Sequence, residues 1–180
     1  MEMETLSLPS WKSSLIPLLF PENLPPRTEL PRIAIVGIGN KARGDQAAGI
    51  LVAQALQRRE FAADAGRVLV VEAFRAPENF AVELRNFKPQ VIILIDAVQM
   101  ELPAGEIAWI SWETATGLSP NPNNLPLTML ARYLMLEFGC SIHLLGIQPA
   151  QDDANMPISK AVQAAVDELT QAFCRMLFCH

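Results

Sequence analysis

Asp45 with Gln46, Glu72, Asp96 and Gln148 each follow a run of apolar residues, and together they outline one polar crevice. Carboxylates and amides in such a place are the groups that hold a cation or take a proton from water. Asp96 closes the uninterrupted run Val91-Ile-Ile-Leu-Ile95, so its carboxylate must leave the core at the strand tip or find a partner there. Each acid also has a plainer use. Asp96 can cap a turn, Asp45 can cap the helix that follows it, and Glu72 can form a surface ion pair of small energy. Familiar nucleophilic arrangements are missing: there is no Gly-x-Ser-x-Gly elbow and no His-Glu-x-x-His helix. With two histidines, His143 and His180, and no cysteine after a strand-to-helix turn, a histidine base or a thiol nucleophile is hard to place.

The element that positions the first of these groups is the stretch from Ile33 to Gly49, a β-branched run that ends in glycines and passes into a helix. Ala47, Ile50, Leu51, Ala55 and Leu56 then repeat at helical spacing. In an open α/β sheet such a turn lies at the carboxyl end of a strand, where ligands bind, and it aims backbone N–H groups at the crevice. Gly37-Ile-Gly39 begins a dinucleotide fingerprint, but position 42 is Ala and the next glycine is Gly44. Asp45 would also repel a pyrophosphate at the helix start. Nucleotide binding is therefore the least favoured of the functions weighed.

Beyond that turn the alternation continues. Strands are expected at Val68–Val71, Val91–Ile95, Glu106–Ser111 and Ile142–Ile147, with a short helix after Pro77 and longer ones over 125–138 and 157–176. This pattern predicts an α/β fold, a three-layer α/β/α sandwich with a mainly parallel twisted sheet. His143 falls inside a strand, where a packed or face-exposed residue is the ordinary outcome. The domain is expected to span 32–180, preceded by a Pro-rich extension over 1–31 that holds six of the fourteen prolines. Proline density forbids a long helix there. Trp11, Leu15, Ile16, Leu18, Leu19 and Phe20 are nevertheless too apolar for a free linker, so part of the extension should pack on the domain or a partner.

Composition narrows the setting. A hydrophobic fraction of 51% in 180 residues supplies one substantial core. A net charge of −5 without a Lys/Arg cluster argues against nucleic acid as partner. No apolar run reaches the roughly 18 residues of a membrane span, and Glu2 and Glu4 stand where a secretory signal would be basic. Cys140, Cys174 and Cys179 form no C-x-x-C pair, which suits a reducing cytoplasm. Cys174, Cys179 and His180 make a poor metal site, because a spacing of five does not share one helix face.

Six ordered motifs resemble those of the nickel-iron hydrogenase maturation proteases, especially the type that processes formate-hydrogenlyase large subunits. They are Gly39-Asn40 with Gly44-Asp45, Ala76-Pro-Glu-Asn79, Ile95-Asp-Ala97, Pro103-Ala-Gly-Glu-Ile107, Leu125-Pro-Leu127 and Leu145-Gly-Ile-Gln-Pro149. The resemblance runs from about residue 33 to 173 and implies a peptidase that removes a C-terminal extension from the large-subunit precursor after nickel insertion. The nickel would be carried by that substrate. It further implies a metal-facing triad of an acid beside the opening turn, an aspartate at a strand end and a histidine before the Leu-Pro-Leu helix. Asp96 matches the aspartate, whereas the acid falls on Gln46 and the histidine on Asn123.

Two neutral amides are harder and weaker ligands for nickel than a carboxylate and an imidazole. Glu72 stands where the family tends to place an acid at the end of its second strand, so Asp45, Glu72 and Asp96 could instead form an all-oxygen cluster fit for magnesium, calcium or manganese. Asn123 and Asn124 before Leu-Pro-Leu equally make a good helix start. Peptide hydrolysis would then use a carboxylate-activated water, with Asp96 or Asp45 as general base and the substrate's metal providing recognition. The alternative is a family member that has lost cleavage and acts as a large-subunit binding or assembly factor.

Overall fold

A computed structural model describes residues 10–26, 28–59, 66–73, 78–110, 127–150 and 156–178. Five strands form one sheet: β1 (Ile33–Ile38), β2 (Val68–Ala73), β3 (Val91–Ala97), β4 (Ile107–Ile110) and β5 (Ser141–Ile147). Their order is β2-β1-β3-β5-β4, with every neighbouring pair parallel except β4 against β5. All seven residues of β3 are buried, as its unbroken apolar run requires of a central parallel strand. The edge strand β4 starts one residue later than expected, at Ile107, and runs antiparallel, while Ser111 lies outside the described residues.

Side-chain parity along each strand sorts the core into two layers. Ile33 and Ile35 of β1, with Ile93 and Ile95 of β3, face α1 (Ser10–Leu19), α2 (Ala48–Gln57) and α5 (Lys160–Phe178). Ala34, Val36, Ile92 and Leu94 face α3 (Glu78–Phe87) and α4 (Leu127–Phe138). The result is the three-layer α/β/α sandwich. Arg85 of α3 and Glu137 of α4 pair at 2.5 Å across the outer surface of the second layer.

The helix α1 lies in the Pro-rich extension. It runs ten residues with Pro17 inside it, at the cost of the hydrogen bond that position 17 would donate to the Ser13 carbonyl. Trp11, Leu15 and Leu19, spaced four apart, are at most 2% exposed and join the core beside α5. Arg67 secures the end of this helix by donating to the carbonyls of Leu19 at 2.6 Å and Pro31 at 3.3 Å, with its guanidinium 5.4 Å from the Phe20 ring. Among the described residues no helix is long and apolar enough to cross a membrane.

Candidate active site

The turn after β1 is built from short-range backbone bonds. Asn40 N–H donates to the Gln46 carbonyl at 2.9 Å, Asn40 Oδ1 accepts from Ala42 N–H at 3.0 Å, and Gln46 N–H donates to the Arg43 carbonyl at 2.9 Å. A 3-10 turn over Gly44–Ala47 then leads into α2. Two glycines allow the turn to press on the sheet. A Cβ on Gly39 would overlap the Gln46 carbonyl, and one on Gly49 would overlap the carbonyls of Ile95 and Ile38. Gln46 is thereby wedged at the carboxyl ends of β1 and β3.

Asp45 is fully buried, and its carboxylate reaches away from its own helix. Oδ2 accepts from Ala150 N–H at 2.8 Å and Oδ1 from Ser159 N–H at 2.6 Å. Ser159 precedes α5 and accepts from Val162 N–H through its hydroxyl at 3.3 Å. The expected N-cap at the start of α2 is therefore not formed, since no side chain caps that helix. Asp45 instead ties the turn after β1 to the segment between β5 and α5, and two backbone donors already use both its oxygens.

Gln148 is the counterpart at the end of β5. It is 3% exposed, its Oε1 accepts from Met100 N–H at 2.7 Å and Leu102 N–H at 3.3 Å, and its Nε2 donates to the Pro149 carbonyl at 3.1 Å. It fixes the loop that leaves β3 just beyond Asp96.

Asp96 has far less support. Among the described residues only the N–H of Ala97 reaches its carboxylate, donating to Oδ1 at 2.8 Å. Burial pushes its carboxyl up from the ordinary 3.8 to about 7, partly offset by that one backbone hydrogen bond. A carboxyl that is half-ionised near neutral pH is matched to taking a proton from water.

Glu72 is not brought to Asp96. Its register partner Gly37 is also that of Ile95, so Glu72 shares the face of Ile95, and Asp96, one residue on, points to the opposite face. The two acids also stand two strands apart, roughly 10 Å at ordinary strand spacing. Glu72 is occupied by Gln54 Nε2 and Lys41 Nζ, each at 3.0 Å. An all-oxygen cluster of Asp45, Glu72 and Asp96 is accordingly not formed, and among the described residues no group of three His, Cys, Asp or Glu side chains is placed to hold a metal ion. Gln54 and Lys41 were not singled out from the sequence, and nothing in a single chain pairs them with an acid on the second strand.

Gln46 is 4% exposed, and its Nε2 is buried without a hydrogen-bond partner. Asn123 lies outside the described residues, as do Ala76, Pro77, Leu125, Pro126, Cys179 and His180. His143 sits on β5 opposite Ile93, on the face away from Asp96, with its ring 5.1 Å from that of Trp109 and its pKa lowered by burial. Burial likewise pushes the Cys140 thiol up to about 11, which leaves it inert as a nucleophile.

A family model described as HycI, hydrogenase maturation protease, matches residues 50–176. This chain belongs to the hydrogenase maturation protease family. The Hydrogenase 3 maturation protease of Escherichia coli K12 is 32% identical over 135 residues, covering 74% of this chain and 83% of that protein. Among solved structures, the NiFe hydrogenase maturation protease HycI from Thermococcus kodakarensis KOD1 superposes with a TM-score of 0.72 at 29% identity, over 82% of this chain and 92% of that one. The endopeptidase HycI from Escherichia coli follows at 0.65 and 28% identity, over 78% and 87%. The maturation-protease fold is thus the mainly parallel α/β sheet described above.

Proposed function

We propose that this chain is an endopeptidase that removes the C-terminal extension from the precursor of a nickel-iron hydrogenase large subunit once nickel is in place. Membership of the maturation-protease family supports the substrate class. The observation that carries the chemistry is the Asp96 carboxyl, held at a strand tip with one hydrogen bond and pushed to about 7. In this reading Asp96 takes a proton from water, the hydroxyl adds to the scissile carbonyl, and the proton passes to the departing amine as the C–N bond breaks. Nickel belongs to the substrate and serves as the mark of a loaded precursor. The family pattern assigns Asp96 and the positions of Gln46 and Asn123 to the part of the site that meets it. Asp45, with both oxygens engaged, holds the turn that carries Gln46, and Glu72 stays with Lys41 and Gln54 on the other face of the sheet. The buried thiol of Cys140 suits a cytoplasmic setting.

Gln46 at the acid position favours one second reading, a family member that binds the large subunit without cutting it. One assay separates them. The protein is incubated with nickel-loaded precursor, and mass spectrometry follows loss of the C-terminal peptide. Cleavage by the wild type and none by Asp96→Asn supports the protease. Stable binding with an intact C-terminus supports the assembly factor, and recovery of cleavage by Gln46→Glu with Asn123→His would locate the loss.

A further inference from the structure

The side chain of Gln46 buries a hydrogen-bond donor that nothing among the described residues satisfies. Its Nε2 has no partner, although the residue is 4% exposed and its backbone N–H and carbonyl are both engaged, with Arg43 and Asn40. Buried donors without partners are rare in native structures, and each calls for a reason. The turn that carries Gln46 packs directly on the end of β3, beside Asp96.

We infer that Gln46 is a substrate-binding donor, whose amide N–H takes a peptide carbonyl of the segment being cleaved, and that it is not a ligand to the substrate's nickel. This rests on the reading of the chain as a maturation endopeptidase and deepens it. Three considerations select the carbonyl. The amide nitrogen of glutamine is a pure donor that offers a metal no lone pair, so the buried Nε2 is the wrong end for nickel. An anionic acceptor would approach the carboxylates of Asp96 and Asp45, whereas a peptide carbonyl brings no charge. A donor left empty in the free protein and filled by substrate also gains in affinity what it costs the fold, because its desolvation is already complete before binding.

The two roles of Gln46 separate in Gln46→Met and Gln46→Glu. Methionine keeps the length and removes the orphan donor, so the free Gln46→Met protein should melt roughly 2–4 °C higher than the wild type, while its affinity for nickel-loaded precursor falls roughly tenfold. Glutamate offers only acceptors when ionised, so Gln46→Glu should weaken the same binding by a similar factor. The measurements are thermal melting of the three free proteins and titration calorimetry of each with the nickel-loaded precursor. A lower melting point for Gln46→Met would show that the amide is paired within the fold, and would overturn the inference. So would an unchanged melting point, unchanged precursor affinity in both variants, or tighter binding by Gln46→Glu, which is the signature of a metal ligand. If the wild-type protein binds no precursor at all, the endopeptidase reading itself falls and this inference falls with it. A wild type that binds and cleaves while both variants behave like it overturns the inference alone.

Discussion

At the end of β1, Asp45 is wholly buried and surrounds its charge with donors, accepting from Ala150 and Ser159 N–H groups at 2.8 and 2.6 Å. At the end of β3, Asp96 is 8% exposed and, among the described residues, has the N–H of Ala97 alone, and burial pushes it to about 7. Both carboxylates close a buried strand-to-loop corner of the same sheet. What separates them is the supply of backbone dipoles. A carboxylate that replaces its lost water with two N–H donors becomes a structural clamp, while one that replaces only part of it becomes a group poised to exchange a proton. Depth of burial by itself ranks them in the wrong order for reactivity.

The sharpest way to break this comparison is to remove the charge from each in turn. Asp96→Asn should lower precursor cleavage by roughly 100- to 10,000-fold, the usual worth of a general base, with a fold at least as stable as the wild type. If mass spectrometry finds cleavage within tenfold of wild type, the assignment of the reacting carboxylate to β3 is wrong.

Stability against pH tests the same residue without substrate. The folded-state pKa of Asp96 lies above the ordinary 3.8, at about 7, so the folded state holds its proton more tightly than the unfolded chain does. Its contribution is therefore complete below about pH 4, is lost progressively as pH rises towards 7, and stays lost above that. Asp96→Asn should abolish this slope and exceed wild type in stability at pH 8 by on the order of 4 kcal/mol, from about 1.4 kcal/mol per unit. Urea titrations at pH 4.5 and 8 check it, and equal gaps at the two pH values would mean that Asp96 is solvated.

Asp45 should respond with the opposite sign. Two charge-assisted hydrogen bonds of roughly 1.5 kcal/mol or more each are at stake, and removing the acceptor strands both buried N–H groups. Asp45→Ala should accordingly lose about 3 kcal/mol in urea unfolding. Asp45→Asn, which keeps one acceptor oxygen, should lose about half as much. A loss below about 1 kcal/mol for Asp45→Ala would remove the clamp.

The parts of this site that follow from local pattern were legible in the chain. The five apolar residues before Asp96 announce a buried strand, and the glycines around Asp45 announce the turn, because both signals are carried by neighbours in sequence. The partners of Asp45 lie 105 and 114 residues away, and only the packing of α5 on α2 brings them there. Glu72 fails as a companion of Asp96 for a related reason. Strand parity is readable within one strand, but which face of β2 matches which face of β3 depends on the register of both with β1. The helix α1 was hidden by its prolines, since Pro17 argues against a helix by propensity while Trp11, Leu15 and Leu19 repay it through tertiary burial.

Glu72 supplies the finest test of the comparison, because it is the acid whose carboxylate meets a lysine and an amide at a partly exposed edge and clamps no loop. Its carboxylate is 21% exposed and shared between Lys41 Nζ and Gln54 Nε2, a pairing in which solvent screens the charge and the long lysine stem must be ordered to make the contact. Glu72→Gln keeps the acceptor for Gln54 and removes the attraction for Lys41, so stability should change by less than about 1 kcal/mol. On the opposite face from Asp96, it should also leave cleavage and its dependence on nickel loading unchanged. A loss of cleavage comparable to that of Asp96→Asn would mean that the crevice reaches around the end of β1, and that the two faces of the sheet act on one substrate.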